Sequence, residues 1–187
     1  MHSPVTGVRA GATSAVRCVD VAALVAATVL RKNAGAEVIP FESKTVEIRL
    51  NPYDSVITNA NRLANLPFGG TNCSAPLEFL NKRNAKGDLV IYVSDNESWV
   101  DAPHYGRFGG SVTATMQEWS KFRNRNPGSL MVCIDVQPYG TVQVKERRDI
   151  LNIGGFSDHV FELIAEFANG NLNADHWIGV IENYELG

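Results

Sequence analysis

Two spacings of apolar residues alternate along this chain, and their alternation points to an α/β fold. Leu89-Val90-Ile91-Tyr92-Val93 is an unbroken apolar run of strand length, and Leu130-Met131-Val132-Cys133 is the apolar centre of a second expected strand, Ser129 to Val136. Between and around them apolar residues recur at helical spacing: Val56, Ile57, Ala60, Leu63 and Leu66, then Leu77, Phe79 and Leu80, then a helix from about Thr113 to Arg125 and another over Asp158 to Ala168. Runs with no polar interruption suit strands buried on both faces, and helices between them imply a parallel or mostly parallel sheet wrapped by helices.

The remaining segments follow the same logic. An amphipathic helix is expected over Thr13 to Asn33, with Val16, Val19, Leu24 and Ala27 toward a core and Arg17, Asp20 and Arg31 toward water. The same stretch imitates a secretion signal, since Arg9 and Arg17 precede the apolar run Val21 to Leu30 and Ala34-Gly35-Ala36 resembles a cleavage site. Asp20 abutting the run argues for the helix, and the run is too short to span a bilayer. Glu37 to Phe41 and Thr45 to Leu50 predict two strands around a Glu42-Ser43-Lys44 turn, Asp54 is a candidate N-cap, and Thr141 to Val144 a short strand. The aromatic loop with His104 reads as surface, and the tail beyond Asn169, with its apolar Trp177, Ile178, Val180 and Ile181, as a packed helix or an arm.

With 187 residues and a net charge of −3, the chain is long enough for one substantial core and carries no global field that favours nucleic acid. No Lys or Arg follows Arg148, an acidic end that suits a solvated helix face. Three cysteines, Cys18, Cys73 and Cys133, are odd in number and far apart, which suits a reducing cytoplasm better than a disulfide framework. Basic residues cluster in Trp119-Ser120-Lys121-Phe122-Arg123-Asn124-Arg125 and in Lys145, Arg147 and Arg148. Interleaved aromatic and basic residues can hold single-stranded RNA, making Lys121, Arg123 and Arg125 candidate RNA contacts. At helical spacing Trp119 and Phe122 are expected instead in the core.

The segment with most chemical content is Gly69-Gly70-Thr71-Asn72-Cys73-Ser74, together with Val93-Ser94-Asp95-Asn96-Glu97. A glycine hinge and a hydroxyl before a helical pattern place Thr71 near a helix N-terminus, where it could simply cap the helix. Asp95 follows a buried strand. A hydroxyl and a carboxylate converging at the carboxyl ends of strands are hard oxygen ligands suited to magnesium, manganese or calcium. Ser74 is a second helix-start oxygen. Cys73 at a helix start could be a nucleophile, yet no histidine stands in a catalytic arrangement, and buried packing is the plainer reading.

These two segments, with Leu130-Met131-Val132-Cys133, Asp149-Ile150-Leu151, Gly155-Phe156-Ser157 and the run from Val160 to Phe167, resemble the von Willebrand factor A-like domain of the Ro autoantigen (TROVE-type) RNA-binding proteins. The resemblance covers roughly residues 1–170, leaving 171–187 as a C-terminal arm. It implies an α/β, Rossmann-type, mostly parallel sheet flanked by helices. It also implies a metal-ion-dependent adhesion site built from an Asp-x-Ser-x-Ser segment ending the first strand, a threonine matched by Thr71 and an aspartate matched by Asp95. The Asp-x-Ser-x-Ser segment is absent, and Met1 aligns just beyond it, so the central first strand is expected to be missing and magnesium binding to be weak or absent.

The resemblance further implies a non-catalytic, cytoplasmic binding module with no membrane contact, with RNA or a ribonucleoprotein as partner and a protein ligand at the metal-site rim. The alternatives are an inactive truncated remnant whose sheet another chain completes, and a thiol hydrolase using Cys73.

Overall fold

The computed structural model describes residues 16–67, 72–94, 114–136, 148–157 and 159–171. The element order is α1 (Cys18–Lys32), α2 (Val56–Ala64), α3 (Ala75–Lys82), β1 (Leu89–Ser94), α4 (Ala114–Arg125), β2 (Leu130–Asp135), β3 (Ile150–Gly154) and α5 (His159–Ala168). The strands form a parallel sheet in the order β1-β2-β3, with Leu89 opposite Leu130 and Met131 opposite Ile150. Helices cover both faces, as parallel strands joined by crossovers require.

Alternation along the strands divides the core in two. Val132 and Ile134 of β2 and Ile153 of β3 face one side, where Cys18, Val21 and Val25 of α1 meet Val160, Ile164 and Phe167 of α5. Tyr92, Met131, Cys133 and Ile150 face the other, against Leu77, Trp119 and Phe122 from α3 and α4. A third cluster joins Ala23 and Ala27 of α1 to Ala60, Leu63 and Ala64 of α2, with Val38, Ile48 and Leu50 packed against it. Small alanines on both helices let α1 and α2 approach closely.

Three expectations are corrected. Helix α1 starts at Cys18, so Val16, 47% exposed, precedes it; within the helix Val19 and Ala27 are buried as expected, but Leu24 is 36% exposed, and Cys18, Val21 and Val25 take its place. Two apolar surfaces compete for this helix, the sheet and α2, so most of its circumference is apolar and one stripe cannot be singled out by spacing. Second, α2 is capped by Ser55, whose hydroxyl accepts from the Thr58 amide at 3.0 Å, while Asp54 accepts from Asn51 and Arg62.

The third correction concerns Glu37–Phe41 and Thr45–Leu50. They form no strand; among the described residues they meet only in the Phe41–Thr45 bridge and a bond from the Val46 amide to the Pro40 carbonyl at 2.8 Å. Conversely, β3 forms at Ile150–Gly154, a run interrupted by Asn152 that carried no clear strand pattern; its backbone is recruited by β2. No helix among the described residues is long and apolar enough to cross a membrane. The Thr141–Val144 expectation, His104, Lys145 and Arg147 lie outside the described residues, as does the tail from residue 172.

Candidate functional site

In a parallel sheet every strand ends at the same rim, and crevices at that rim are where α/β folds take ligands. Here the rim is formed by Ser94, Asp135 and Gly154, aligned in register across β1, β2 and β3. Pairing persists to the last residue: the Val136 amide donates to the Ser94 carbonyl at 2.8 Å and the Gly155 amide to the Asp135 carbonyl at 2.7 Å. Ser94 and Asp135 are both buried. In strand alternation they share the face of Tyr92 and Cys133, the face covered by α3 and α4.

The loop entering α3 is clamped to this face. The Tyr92 hydroxyl donates to the Cys73 carbonyl at 3.0 Å. Asn72 is held from the other side, its amide donating to the Glu42 carbonyl at 2.7 Å. The Asn72 side-chain oxygen accepts from both the amide and the hydroxyl of Ser74, at 3.1 and 2.8 Å, and the same hydroxyl contacts Glu78 Oε1 at 2.7 Å. Asx turns of this kind stabilise a tight helix entry, and Pro76 suits the first turn that follows. Ser74 occupies the N-cap position, so the start of α3 belongs to Ser74 rather than to Thr71.

Thr71 and Asp95 themselves lie outside the described residues. Their described neighbours are brought together: Cys73, two positions after Thr71, is bonded to Tyr92, three positions before Asp95. Asp135 is a rim residue that pattern reading passed over. Its signal was available, since Met131 to Asp135 is an apolar run ending in a carboxylate, the same pattern that singled out Asp95. Among the described residues no three His, Cys, Asp or Glu side chains group as a metal site.

Cys73 is 1% exposed, and Cys18 and Cys133 are also buried, free thiols. Burial, reinforced by Cys73, pushes the Cys133 thiol up to about 12, the reverse of what a thiolate nucleophile needs. The native protein is therefore expected to resist a thiol reagent at neutral pH and to react at all three cysteines once unfolded in urea. Rapid labelling of native Cys73 would instead revive the nucleophile reading.

The candidate RNA contacts lie on α4, each with an intramolecular partner. Lys121 Nζ is 2.5 Å from Glu118, Arg123 is 3.5 Å from Asp149, and Arg125 donates to the Asn81 side-chain oxygen at 2.6 Å. Burial raises the Glu118 pKa, but hydrogen bonds from Lys121 and Asn81 outweigh it and hold the carboxyl below its ordinary value. Trp119 and Phe122 are inside the core, stacked with centroids 5.8 Å apart, so neither offers a base a stacking face.

The family model described as the Ro60 vWA domain matches residues 3–168. The chain belongs to the Ro60 vWA domain family. Relatives of this Ro60 vWA chain include the RNA-binding protein RO60 of Deinococcus radiodurans, 22% identical over 151 residues, covering 81% of this chain and 27% of the relative. The RNA-binding protein RO60 of Caenorhabditis elegans is 22% identical over 146 residues, covering 76% of this chain and 21% of the relative. The chain thus spans about a quarter of the length of these relatives. The crystal structure of the Deinococcus radiodurans RO (RSR) protein superposes with a TM-score of 0.64 at 18% identity, over 82% of this chain and 29% of that one. The Ro60 vWA fold, an α/β sheet flanked by helices, is thereby shared.

Proposed function

We propose that this Ro60 vWA chain is a non-catalytic binding module of a Ro-type ribonucleoprotein, whose rim engages a carboxylate or phosphate of its ligand. The observation that carries this reading is the Tyr92–Cys73 hydrogen bond, which ties the base of the Thr71 loop to the strand that leads into Asp95. The hydroxyl of Thr71 and the carboxylate of Asp95 would suit a hard divalent cation such as magnesium at that rim, to which Asp135 brings a further carboxylate. When bound, the cation would supply an electrophilic contact for a ligand oxygen. Thr71 and Asp95 would hold it, and the clamped strand and loop would orient them. Three buried free thiols suit a reducing cytoplasm.

Magnesium binding is expected to be weak. The ion takes about six oxygens, and two protein side chains leave most of them to water. Calorimetry should show no tight one-to-one site; a tight site abolished in both Thr71→Ala and Asp95→Ala would overturn the weak-binding expectation while supporting the assignment of those two ligands.

The relatives are named RNA-binding proteins, and RNA or a ribonucleoprotein is the partner class proposed here. Lys121, Arg123 and Arg125 are the proposed contacts, acting on phosphate rather than on bases because the aromatic residues between them are buried. In the same titration series, a single-stranded RNA oligonucleotide at low salt should bind weakly, with the salt dependence reduced when all three residues are replaced by alanine. Unchanged binding in that variant would remove α4 from the interface.

A further inference from the structure

Two basic stretches far apart in the chain meet where α3 and α4 pack side by side on one face of the sheet. Asn81 of α3 fastens the pair. Its side-chain nitrogen donates to the Glu118 carbonyl at 2.9 Å and to Glu118 Oε2 at 2.6 Å, and its side-chain oxygen accepts from Arg125 at 2.6 Å. Burial raises the Glu118 pKa, but hydrogen bonds from Lys121 and Asn81 and the charges of Lys121 and Lys82 hold it below its ordinary value. Lys82 therefore stands in the same group. Past α3 the chain turns and runs beside the end of α4, where Asn126 Nδ2 donates to the Ala85 carbonyl at 3.3 Å and the Ser129 hydroxyl to the Gly87 carbonyl at 2.7 Å. Lys86 sits between those two anchors.

On this surface the cations outnumber the carboxylates that touch them among the described residues. The side chains of Lys82 and Lys121 are 80% and 63% exposed, and Lys86 is exposed as well. Glu118 is turned inward at 14% exposure, while Glu78, 4.0 Å from Lys82, is also bonded to the Ser74 hydroxyl. Complementing the helix macrodipoles explains a cation in the last turn of each helix, because that field falls off within a turn. It does not explain Lys86, which lies beyond α3 and outside α4. Lys121 and Arg125, four positions apart, share one side of α4, whereas Arg123 is two positions from each and turns toward Asp149. Three lysines and one arginine on flexible stems suit a repeating chain of phosphates better than one fixed carboxylate.

We propose that Lys82, Lys86, Lys121 and Arg125 form one phosphate-tracking surface across α3 and α4, which holds the backbone of single-stranded RNA without reading its bases. Trp119 and Phe122 are buried, so phosphate contacts carry the binding. The inference rests on RNA as the partner class and adds to that reading two contacts that α4 does not carry.

The salt dependence of binding to uridine and adenosine oligonucleotides of equal length, measured on the full chain, tests it. Each cation on a single-stranded phosphate contributes about 0.7 to the slope of log affinity against log salt, so the double variant Lys82→Ala, Lys86→Ala should lower the slope by about 1.4. Both oligonucleotides should respond alike. The charge-matched control Arg31→Ala, Lys32→Ala removes two cations from the end of α1, across the sheet, and should leave the slope unchanged. A parent-like slope in the α3 variant, with a loss only when Lys121 and Arg125 are replaced, would overturn the surface and leave the α4 contacts standing. An equal loss in the α1 control would reduce the effect to net charge and overturn it too. A clear preference for the adenosine oligonucleotide would show stacking and overturn recognition by phosphate alone. Inorganic polyphosphate separates the surface from its ligand: binding of polyphosphate through Lys82 and Lys86 without binding of RNA would overturn the RNA partner and keep the cation surface, and binding of neither would overturn both. Competition by polyglutamate as effective as by RNA would reassign the surface to an acidic protein segment.

Discussion

Replacing Trp119 with alanine is expected to cost about 3–5 kcal/mol of folding stability, the range for deleting a large buried aromatic side chain. Trp119 is fully buried between α4 and the sheet, and its ring stacks on Phe122 at an interplanar angle of 17°. Its indole Nε1 also donates to Asp149 Oδ2 at 2.8 Å, inside the core. The substitution therefore opens a cavity and removes a donor from a buried carboxylate. Arg123, at 3.5 Å, is too far to replace that donor with a good charge-assisted bond. A domain of this size has about 5–15 kcal/mol in total, so Trp119→Ala should be close to unfolding.

Urea denaturation separates the two contributions. Trp119→Phe keeps most of the ring and loses the donor, which should cost about 1.5–3 kcal/mol because the acceptor is charged. Much of that loss should disappear when Asp149 is already alanine, since the bond no longer exists to be broken. Independent, additive effects of the two substitutions would show that the indole–carboxylate bond contributes nothing of its own.

This buried triad also explains why α4 was partly legible as sequence. Helical spacing put Trp119 and Phe122 inside, and they are, which withdraws the stacking half of an aromatic-basic RNA motif. The destination of Arg123 was not legible. Its partner Asp149 precedes β3, and a pair so far apart in the chain leaves no periodic trace. The helices and the strands β1 and β2 were legible because each long apolar run has one face or two to bury. The phase of α1 was not, because the sheet and α2 bury different sides of it.

Segments 36–41 and 45–50 mark a different limit. Their alternating residues favour extended backbone, but a strand exists only when a neighbour completes its ladder, and among the described residues the two segments share one isolated bridge, Phe41–Thr45. Propensity reports the conformation and is silent about the neighbour. The candidate rim shows the same division. A carboxylate ending an apolar run was enough to single out Asp95, whereas the clamp that gives the assignment physical support, Tyr92 to Cys73, needs the two elements to pack.

That clamp lies in a group of ionisable side chains whose burial makes the fold sensitive to alkali. Burial pushes the Tyr92 hydroxyl well above its ordinary 10.0, with Cys73 and Cys133 reinforcing it and a backbone hydrogen bond at Leu77 opposing it. Burial likewise pushes the Cys133 thiol from 9.0 up to about 12. Both groups are neutral when protonated, and both release their protons more readily in the unfolded chain. Their contribution to stability is therefore intact below the unfolded values and is lost as pH rises toward the folded ones.

For Cys133 the interval from 9.0 to about 12 corresponds to roughly 4 kcal/mol. The urea midpoint should accordingly fall steeply from about pH 9 upward, while remaining level with respect to these two groups at neutral pH. Cys133→Val removes the thiol with little change in volume, so its alkaline decline should be shallower than that of the parent even if its stability at neutral pH differs. The Tyr92 contribution should persist in that variant, beginning about one pH unit higher, near the ordinary tyrosine value of 10.0. Parallel declines in parent and variant across the whole interval would mean that Cys133 ionises as easily folded as unfolded, and that the face beneath the rim admits water.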